Sequence, residues 1–459
     1  MEKALIHHIV ETQRAYFMGG NTLDKTKRRL YLKKLYNAII QYQGELEEAL
    51  EKDLGKSAFE SDMCEIRLTL SEISYMLKHL NSYCRERTVW TPLSQFASCS
   101  FKMPSPYGVV LVMSPWNYPV LLTLEPLCDA LAAGNTVVIK SSAYSAETTR
   151  VLKKLIENTF PRELVSFVDG GREENQALLE ENFDYIFFTG SKSVGKLVME
   201  KASKNLTPVT LELGGKSPVI VMRDADIKLS AKRLVFGKYL NLGQTCVAPD
   251  YVLVDEDIKE EFVSAVVEEI KKQFGTNAFE NPDYGKIINE KHYKRVVGLI
   301  DYDKVFYGGK SDDATLTIEP TVMVNVNKDD KVMQEEIFGP LMPILTYRDI
   351  NEALSIINAE EHPLAFYIFS KNVKRAKSIM RQVGFGGGCI NDVIIHLATS
   401  EMGFGGFKES GMGSYHGKAG FDTFTHYKSI VDKKRWIDLP MRYQAYTKFN
   451  HKLINFFLK

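Results

Sequence analysis

The stretch "GVVLVMS" at residues 108–114 sets five apolar side chains in succession between a glycine and a serine. Similar short runs follow it: "TVVIK" at 136–140, "LVSFVDG" at 164–170 and "YIFFTG" at 185–190, each separated from the next by a helix-like segment. Strands that are apolar on both faces and joined by helical crossovers are typical of a buried parallel sheet. We therefore predict a doubly wound α/β unit over residues 108 to about 213.

A second α/β unit is predicted in the C-terminal half of the chain. Strand-like runs recur there, "SPVIVM" from 217, "YVLVD" from 251 and "LAFYIFS" from 364, and a long amphipathic helix is predicted from Asp257 to Phe274. Each run is short enough for a strand and is bounded by turn or charged residues. The chain thus has the pattern of two doubly wound open-sheet domains of the α/β class.

Four segments lie outside the two sheet patterns. Residues 22–55 show helical periodicity and are predicted to pack against the first unit. Residues 88–106 are rich in Ser, Thr and Pro, and residues 402–420 are dense in glycine. The basic and aromatic stretch "RYQAYTKFNHKLINFFLK" at 442–459 predicts either a terminal helix packed on the body or an adjacent subunit, or a helix at a membrane surface.

Composition and charge narrow the class of partner. The 459 residues include 58 basic and 58 acidic side chains, so there is no electrostatic argument for nucleic acid binding. The six cysteines are scattered without a CxxC pair, which predicts neither a disulfide framework nor a metal site. This cysteine usage favours a reducing, cytoplasmic setting. We expect a small-molecule substrate, and neither a signal peptide nor a membrane span.

One cysteine stands apart from the others. Cys246 lies in the turn-like stretch "NLGQTCVAPD" at 241–250, whereas Cys64, Cys84 and Cys128 fall in helix-like segments. Free cysteine usually behaves as a small buried hydrophobe, so its placement among polar turn residues indicates that the sulfur is wanted for reactivity. Core packing is the expected role of the other cysteines.

Two strand ends have features of a cofactor site. In "YIFFTGSKSVGK", Gly190 ends a strand and Gly195 lies one turn into the next helix, so a phosphate could approach backbone amides there. The spacing is not the full GxGxxG, and the alternative is that the two glycines only permit the turn between strand and helix. Lys140 ends the strand "TVVIK" and either is solvated or points into the crevice where open α/β sheets bind ligands.

Three further polar groups are candidates for catalysis. Glu212 lies between leucines before two glycines, where burial would suit a general base, although pairing with Lys216 is the alternative. Asn117 in "SPWNYP" could donate its amide to an oxyanion or could form an Asx-turn. The adjacent Glu335 and Glu336 could be a wet surface, but they precede an apolar strand.

Five short motifs occur in a fixed order along the chain: "PWNYP", "FTGSKSVG", "LELGGK", "GQTC" and "EEIFGP". In this order they closely resemble the aldehyde dehydrogenase superfamily, and the resemblance covers roughly residues 5–445. The C-terminal segment beginning "GGGCINDVIIHLATSEMGFGGFKESG" looks most like the class 3 branch, which handles fatty and aromatic aldehydes. The resemblance implies a Rossmann-like cofactor domain and a catalytic domain, plus a bridging element for oligomerisation.

The resemblance also assigns catalytic roles. Cys246 becomes the nucleophile that attacks the aldehyde and carries the thioester, and Asn117 becomes an oxyanion donor beside the backbone N–H of Cys246. Glu212 becomes the general base, although the base role has also been considered for the glutamate that matches Glu336. The implied reaction is NAD(P)-dependent oxidation of medium- to long-chain or aromatic aldehydes to carboxylic acids.

A further set of residues would hold the cofactor. By the same resemblance Lys140 would reach the adenosine ribose or its phosphate, and Glu336 the nicotinamide ribose. The remaining cofactor contacts would be Trp116, Gly190, Ser191, Gly195 and Phe338. Ala143 stands where many NAD-preferring members carry a glutamate that repels a 2′-phosphate, so we expect NADP to be accepted, either alongside NAD or in its place.

The resemblance and the sequence patterns together predict the domain layout. We expect a cofactor-binding domain of residues 1–87 (helical part) and 107–213 (Rossmann-like part), a catalytic domain of 214–395, bridging segments at 88–106 and 396–430, and a tail at 431–459. Because the bridging segments match the arms through which subunits of the family pair, a homodimer is predicted. Whether His396 and His416 line the substrate entrance stays open.

Three other functions compete with this one. An acylating relative would pass the thioester to coenzyme A, but such enzymes generally lack the base matched by Glu212. A cysteine esterase would need no nicotinamide. A non-catalytic binding protein that retains the fold need not keep a nucleophile, a base and an oxyanion donor together, and this chain has candidates for all three.

Overall fold

The computed structural model describes residues 2–439 and 442–458. Its strands are β1 (Arg87–Val89), β2 (Ser98–Pro106), β3 (Val109–Met113), β4 (Thr136–Lys140), β5 (Val165–Phe167), β6 (Tyr185–Thr189), β7 (Val209–Glu212), β8 (Pro218–Val221), β9 (Tyr251–Asp255), β10 (Val305–Tyr307), β11 (Ser311–Asp312), β12 (Thr317–Ile318), β13 (Thr321–Met323), β14 (Leu341–Tyr347), β15 (Ala365–Phe369), β16 (Gly387–Ile390), β17 (Gly411–Met412) and β18 (Thr425–Lys433). Its α-helices are α1 (Lys3–Met18), α2 (Lys25–Leu54), α3 (Ala58–Ser61), α4 (Arg67–Tyr83), α5 (Leu121–Ala133), α6 (Ala146–Thr159), α7 (Arg172–Glu180), α8 (Lys192–Ser203), α9 (Ile227–Tyr239), α10 (Lys259–Phe274), α11 (Glu290–Val297), α12 (Ile350–Ala359), α13 (Val373–Met380), α14 (Gly417–Thr423) and α15 (Lys448–Phe457).

The first sheet has the strand order β17-β7-β6-β3-β4-β5. Strands β3 to β7 run parallel, and every residue of β3 and β4 is buried, which explains their continuous apolar sequences. The chain reverses direction across the sheet after β5, so the carboxyl ends of β3 and β6 open onto a crevice. The predicted doubly wound unit is confirmed, with one addition: β17, from the glycine-dense segment, pairs antiparallel with β7.

The second sheet has the order β10-β13-β14-β9-β8-β15-β16. All its neighbours are parallel except β10, which runs antiparallel to β13 at one edge. Strands β8, β13 and β15 are buried throughout, as a sheet covered on both faces requires. The second predicted α/β unit is therefore confirmed as well.

A third sheet joins two distant segments of the chain. Its order is β1-β2-β18, and β18 pairs with β2 antiparallel along the whole length of both strands. Residues 88–106 and the strand that follows the glycine-dense region thus belong to one sheet. Strand β18 continues to Lys433, three residues beyond the predicted boundary at 430.

The long helix α2 shows how the N-terminal helices pack against the first unit. It begins after Asp24, whose carboxylate accepts the N–H of Thr26 at 2.8 Å, and ends at Gly55, whose φ of 67° places it in the left-handed region. Its Leu35 and Leu50, spaced as the helical period predicts, are fully buried. Burial of each such leucine stabilises the fold by about 1.5–3 kcal/mol.

The C-terminal stretch forms the helix α15, as each of its predicted alternatives requires. No residue of α15 is buried, although the helix touches residues 93–95 of its own chain, so packing into the body of the chain is the alternative that the structure does not support. Its Phe449 and Phe456 are 68% and 74% exposed. Among the described residues, no helix combines the length and the apolar character that crossing a bilayer requires.

Candidate active site

Cys246 follows a tightly wound turn that joins α9 to the rest of the catalytic domain. Asn241 and Leu242 both have a φ of +50°, and Gly243 has a φ of +72°. A Cβ on Gly243 would lie 2.4 Å from the carbonyl oxygen of Gly339, so only glycine fits there. This strained turn explains the polar, glycine-flanked sequence before the cysteine, since an ordinary helix would not hold the sulfur in this place.

The side chain of Gln244 fixes this turn in position. Its Nε2 donates to the carbonyl oxygens of Asn241 at 3.1 Å and Lys286 at 3.0 Å, and its Oε1 accepts the N–H of Ile288 at 3.0 Å. The residue is fully buried, so three satisfied hydrogen bonds replace its contacts with water. The nucleophile is therefore carried by a rigid backbone.

Cys246 lies where two cavities of different character meet. On one side is an apolar cavity of about 220 Å³, and on the other a more polar cavity of about 320 Å³. The apolar cavity is lined by Met63, Cys64, Leu68, Tyr118, Leu121, Leu122, Phe236, Leu240, Thr245, Val247, Ile394, Ile395, Leu397, Ala398, Phe404, Tyr415 and His416 as well as Cys246. An apolar chain in the first cavity would thus bring its end to the sulfur, beside the polar groups of the second.

The surroundings of the sulfur oppose its ionisation. Cys246 is half-buried, and removal from water, together with the charges of Glu336 and Glu212, raises the pKa of its thiol to about 12. In the protein alone, these surroundings favour the protonated thiol. A nearby base, or the positive charge of a bound nicotinamide ring, is needed to favour the thiolate.

Glu212 ends β7 and points into the polar cavity. Its side chain is 3% exposed, and neither carboxyl oxygen has a hydrogen-bond partner among the described residues. Burial raises its pKa well above the ordinary range. The alternative of a pair with Lys216 is wrong, because Lys216 forms its salt bridge with Asp250 and also donates to the carbonyl oxygen of Val332 at 3.0 Å.

Asn117 lies on the opposite wall of the polar cavity. Its side-chain amide donates one N–H to the carbonyl oxygen of Gln244 at 3.0 Å, and the second N–H is left for a ligand. The Asx-turn alternative fails, because the residue two positions on is Pro119, which has no N–H. From behind, the buried Lys56 donates to the carbonyl oxygen of Asn117 at 2.9 Å and pairs with Glu65 at 2.5 Å.

The two adjacent glutamates differ in how far they are exposed to solvent. Glu335 is exposed, with Arg295 at 3.5 Å, as expected of a wet surface. Glu336 lines the polar cavity, and removal from water together with the charge of Asp250 raises its pKa to about 8. A Cβ on Gly214 would lie 2.1 Å from Glu336 Oε2, so the glycine leaves the carboxyl group its space.

A wider cleft of about 630 Å³ continues from the polar cavity along the ends of β3, β4 and β6. Lys140 is 3% exposed there, and its ammonium donates only to the carbonyl oxygen of Ser141, at 2.6 Å, among the described residues. Ser191 precedes α8 without a side-chain cap, which leaves N–H groups at that helix end open to an anion. A buried ammonium with one acceptor and an uncapped helix start fit the ribose and pyrophosphate of a dinucleotide.

The other predicted cofactor residues lie partly in this cleft. Trp116 and Gly190 line it, and Phe338 packs edge-on against Trp116 with ring centroids 5.3 Å apart. Gly195 differs, because it lines neither the cleft nor the polar cavity. A Cβ on Gly195 would lie 2.7 Å from Leu213 Cδ2, so this glycine lets α8 pack closely on the sheet.

Sequence reasoning missed the walls of the apolar cavity. Met63 comes from the helical turn Asp62–Ile66, Leu68 from α4, Leu121 from α5, Phe236 from α9, and Ile395 from the loop after β16. Apolar residues on five separate elements carry no local signal that they share a cavity. Among the described residues, no group of His, Cys, Asp or Glu has the arrangement of a metal site.

Comparison with known proteins agrees with this geometry. A model of the aldehyde dehydrogenase family matches residues 1–430. The 4,4'-diaponeurosporen-aldehyde dehydrogenase of Staphylococcus aureus is 44% identical over 97% of both chains, and a dog enzyme described as a dimeric, NADP-preferring aldehyde dehydrogenase is 43% identical over 93% of this chain and 94% of its own.

The structural match is close over the whole chain. A substrate-bound structure of Staphylococcus aureus AldH superposes with a TM-score of 0.96 at 43% identity and covers 99% of both chains. An NAD-dependent aldehyde dehydrogenase from Sinorhizobium meliloti gives a TM-score of 0.85 at 29% identity, covering 94% of this chain and 87% of its own. With its thiol between an apolar cavity and a dinucleotide cleft, the protein belongs to the aldehyde dehydrogenase family, whose members oxidise aldehydes with NAD or NADP.

Proposed function

We propose that the protein oxidises medium- to long-chain aliphatic or aromatic aldehydes to carboxylic acids through a covalent intermediate on Cys246. The observation that carries this proposal is the position of Cys246 on the wall of both cavities. The apolar cavity suits a hydrocarbon chain or ring, because burial of apolar surface is favourable and its lining is almost free of polar groups. The Staphylococcus aureus relative described as a 4,4'-diaponeurosporen-aldehyde dehydrogenase supports an aldehyde as the substrate.

In the first half of the reaction, Cys246 attacks the aldehyde carbon and its proton passes to a carboxylate of the polar cavity. The free amide N–H of Asn117 and the backbone N–H of Cys246 stabilise the oxyanion of the thiohemiacetal. A bound nicotinamide supplies the acceptor for the hydride that leaves the former aldehyde carbon. What remains on the sulfur is a thioester.

In the second half, a carboxylate deprotonates the water that attacks the thioester. Glu212 is our candidate for this base, because it is buried in the cavity and neither oxygen has a partner within the described part of the chain. Glu336 lines the same cavity, and its pKa of about 8 also suits a base. We propose Glu212 as the base and Glu336 as a contact to the nicotinamide ribose.

Measurements on two variants decide which glutamate is the general base and which one contacts the cofactor. In Glu212→Gln, we expect the thioester to accumulate on Cys246 during turnover, which intact-mass spectrometry detects as an acyl adduct. In Glu336→Gln, we expect weaker cofactor binding without an acyl adduct. Accumulation in the second variant but not in the first would reverse the two roles.

For the cofactor, we propose that Lys140, Gly190, Ser191, Trp116 and Phe338 hold NAD or NADP in the cleft. Gly195 contributes indirectly, by letting α8 pack closely on the sheet. Ala143 lines the cleft without a carboxylate that would repel a 2′-phosphate. Steady-state kinetics with both cofactors test this, and strong rejection of NADP would refute the argument from Ala143.

We propose a homodimer formed through the sheet β1-β2-β18. We also propose a cytoplasmic location and the domain boundaries predicted from the sequence, except that the second bridging segment extends to Lys433. In support of the dimer, Trp90 and Leu93 beside this sheet are 80% and 68% exposed, and a relative is described as dimeric. In support of a reducing compartment, all six cysteines are free. A monomeric mass in light scattering would refute the dimer.

The decisive test of the reaction is Cys246→Ala. We expect this variant to lose aldehyde-dependent formation of reduced nicotinamide while its unfolding temperature stays close to that of the wild type. Product analysis with and without coenzyme A separates hydrolysis from acyl transfer. Unchanged turnover in the variant would overturn the proposal and favour a binding protein that retains the fold.

A further inference from the structure

A small second cavity adjoins the apolar one. It has a volume of about 20 Å³, roughly the space of one water molecule. Cys246 does not line it, and the two cavities share the lining residues Leu68, Leu121, Leu397, Ala398 and His416. This small cavity, which we call the terminal chamber, therefore lies against the apolar cavity that Cys246 lines.

The walls of the terminal chamber are polar. Glu72 and Glu125 are 2% and 4% exposed, and the Oε2 atom of each lacks a hydrogen-bond partner in the part of the chain that the structure describes. Burial raises the pKa of both carboxyl groups. Within the described residues no Lys or Arg side chain forms a salt bridge with either group, so burial favours the neutral, protonated form of both.

His416 stands at the border of the two cavities in a strained conformation. Its φ of +81° is rare for a residue with a side chain, and such strain persists only where the surroundings hold it. The imidazole stacks on Phe404 with ring centroids 5.6 Å apart, and its Nε2 lies 3.4 Å from Glu125 Oε1. Burial and the neighbouring His396 lower its pKa to about 3, so the ring is neutral.

We propose that the terminal chamber is a second recognition subsite, in which His416 and Glu125 hydrogen-bond a neutral polar group at the far end of the substrate chain. This inference rests on the proposed function, because it requires the aldehyde carbon at Cys246 and the chain in the apolar cavity. The favoured substrates are then ω-hydroxy aldehydes and dialdehydes of a length that spans the apolar cavity.

The chemistry of the chamber selects among end groups. A terminal methyl group would leave the buried carboxyl oxygen of Glu125 without a hydrogen-bond partner, whereas a hydroxyl or carbonyl group would supply one. A terminal carboxylate would be buried without a cation, which is unfavourable. Neutral polar ends are therefore preferred over both methyl and carboxylate ends.

The test compares alkanals, ω-hydroxyalkanals and ω-carboxyalkanals of matched and graded chain length. For the wild type we expect kcat/KM of the hydroxy compound to exceed that of the alkanal by about five- to tenfold at one optimal length, the effect of one additional buried hydrogen bond. The carboxy compound should fall below both. At shorter lengths, where the end cannot reach the chamber, the preference should disappear.

Variants of Glu125 make the test specific. Glu125→Leu should abolish the preference while kcat/KM for short alkanals stays within about threefold, and Glu125→Gln should retain the preference, because it keeps a hydrogen-bonding group. A wild type without any preference at every length overturns the subsite, whether or not the variants fold. So does a preference that survives in Glu125→Leu. If no alkanal is oxidised at all, the proposed function itself has failed, which is a separate outcome.

Discussion

Replacement of Glu212 by leucine should raise stability and remove activity at the same time. The carboxyl group is 3% exposed and neither oxygen has a partner among the described residues, so no hydrogen bond offsets the free-energy cost of removing it from water. A buried polar group left unsatisfied costs about 1–3 kcal/mol. Leucine is similar in length to glutamate, and Glu212 Oε1 lies beside Gly405, where an added Cβ would be 3.1 Å from it.

The size of both effects follows from these observations. A gain of about 1–3 kcal/mol corresponds to a rise in unfolding temperature of roughly 2–10 °C for a cooperative unit of this size. Loss of a general base costs about 10²–10⁴ in rate. The expected result is a warmer unfolding transition together with a fall in kcat of at least two orders of magnitude.

Glu65→Leu provides the matched control, because Glu65 is also a fully buried glutamate but has its partners. Its carboxylate accepts Lys56 Nζ at 2.5 Å and the N–H of Val120 at 2.8 Å. Removal of one member of a buried ion pair typically costs 3–5 kcal/mol, so this variant should unfold at a lower temperature. Thermal unfolding at a fixed scan rate measures both variants. A destabilised Glu212→Leu would refute the reasoning, because it would show that the carboxyl group supports the fold.

Three further predictions concern the same cavity. Without cofactor, iodoacetamide should alkylate Cys246 more than a hundredfold more slowly at pH 8 than it alkylates a free thiol, because a thiol pKa of about 12 leaves little thiolate; peptide mass spectrometry measures this, and an ordinary rate contradicts it. The pKa of Glu336 is raised to about 8 in the folded protein, so the stability that this group contributes is complete below its unfolded pKa near 4.5 and is lost as the pH rises through 8. The unfolding temperatures of Glu336→Gln and the wild type should therefore be most alike at low pH and should differ most above pH 8. Parallel curves of unfolding temperature against pH contradict this. Gly214→Ala should weaken NAD binding about tenfold or more, because the new Cβ would lie 2.1 Å from Glu336 Oε2, and calorimetry that finds unchanged affinity counts against a role for Glu336 in holding the cofactor.

The sheets were predictable because their strands are buried on both faces. The continuous apolar runs of β3 and β4 leave no choice but an interior strand, and their order along the chain is that of a doubly wound sheet. The turn around Cys246 was predictable in part, since Asn241 and Gly243 are residues that tolerate the positive φ angles found there, whereas Leu242 at +50° gives no such signal.

Partners that are distant in sequence were not predictable. Lys216 is four residues from Glu212, yet its salt bridge is with Asp250, which the fold brings in from the start of β9. The state of the Cys246 thiol depends likewise on the charges of Glu336 and Glu212, which come from other segments. Local patterns report on local backbone and on burial, whereas the pairing of charges depends on the assembled fold.

The position of Cys246 on two cavity walls has a kinetic consequence. In the proposed reaction the aldehyde chain occupies one cavity and the nicotinamide the other, so neither needs to leave before the other approaches the sulfur. The acid can leave on the side by which the aldehyde came while the spent coenzyme is still in place. Inhibitors that react with the thiol can accordingly be extended in two directions, with an apolar chain in the apolar cavity or with a nucleotide analogue in the polar cavity.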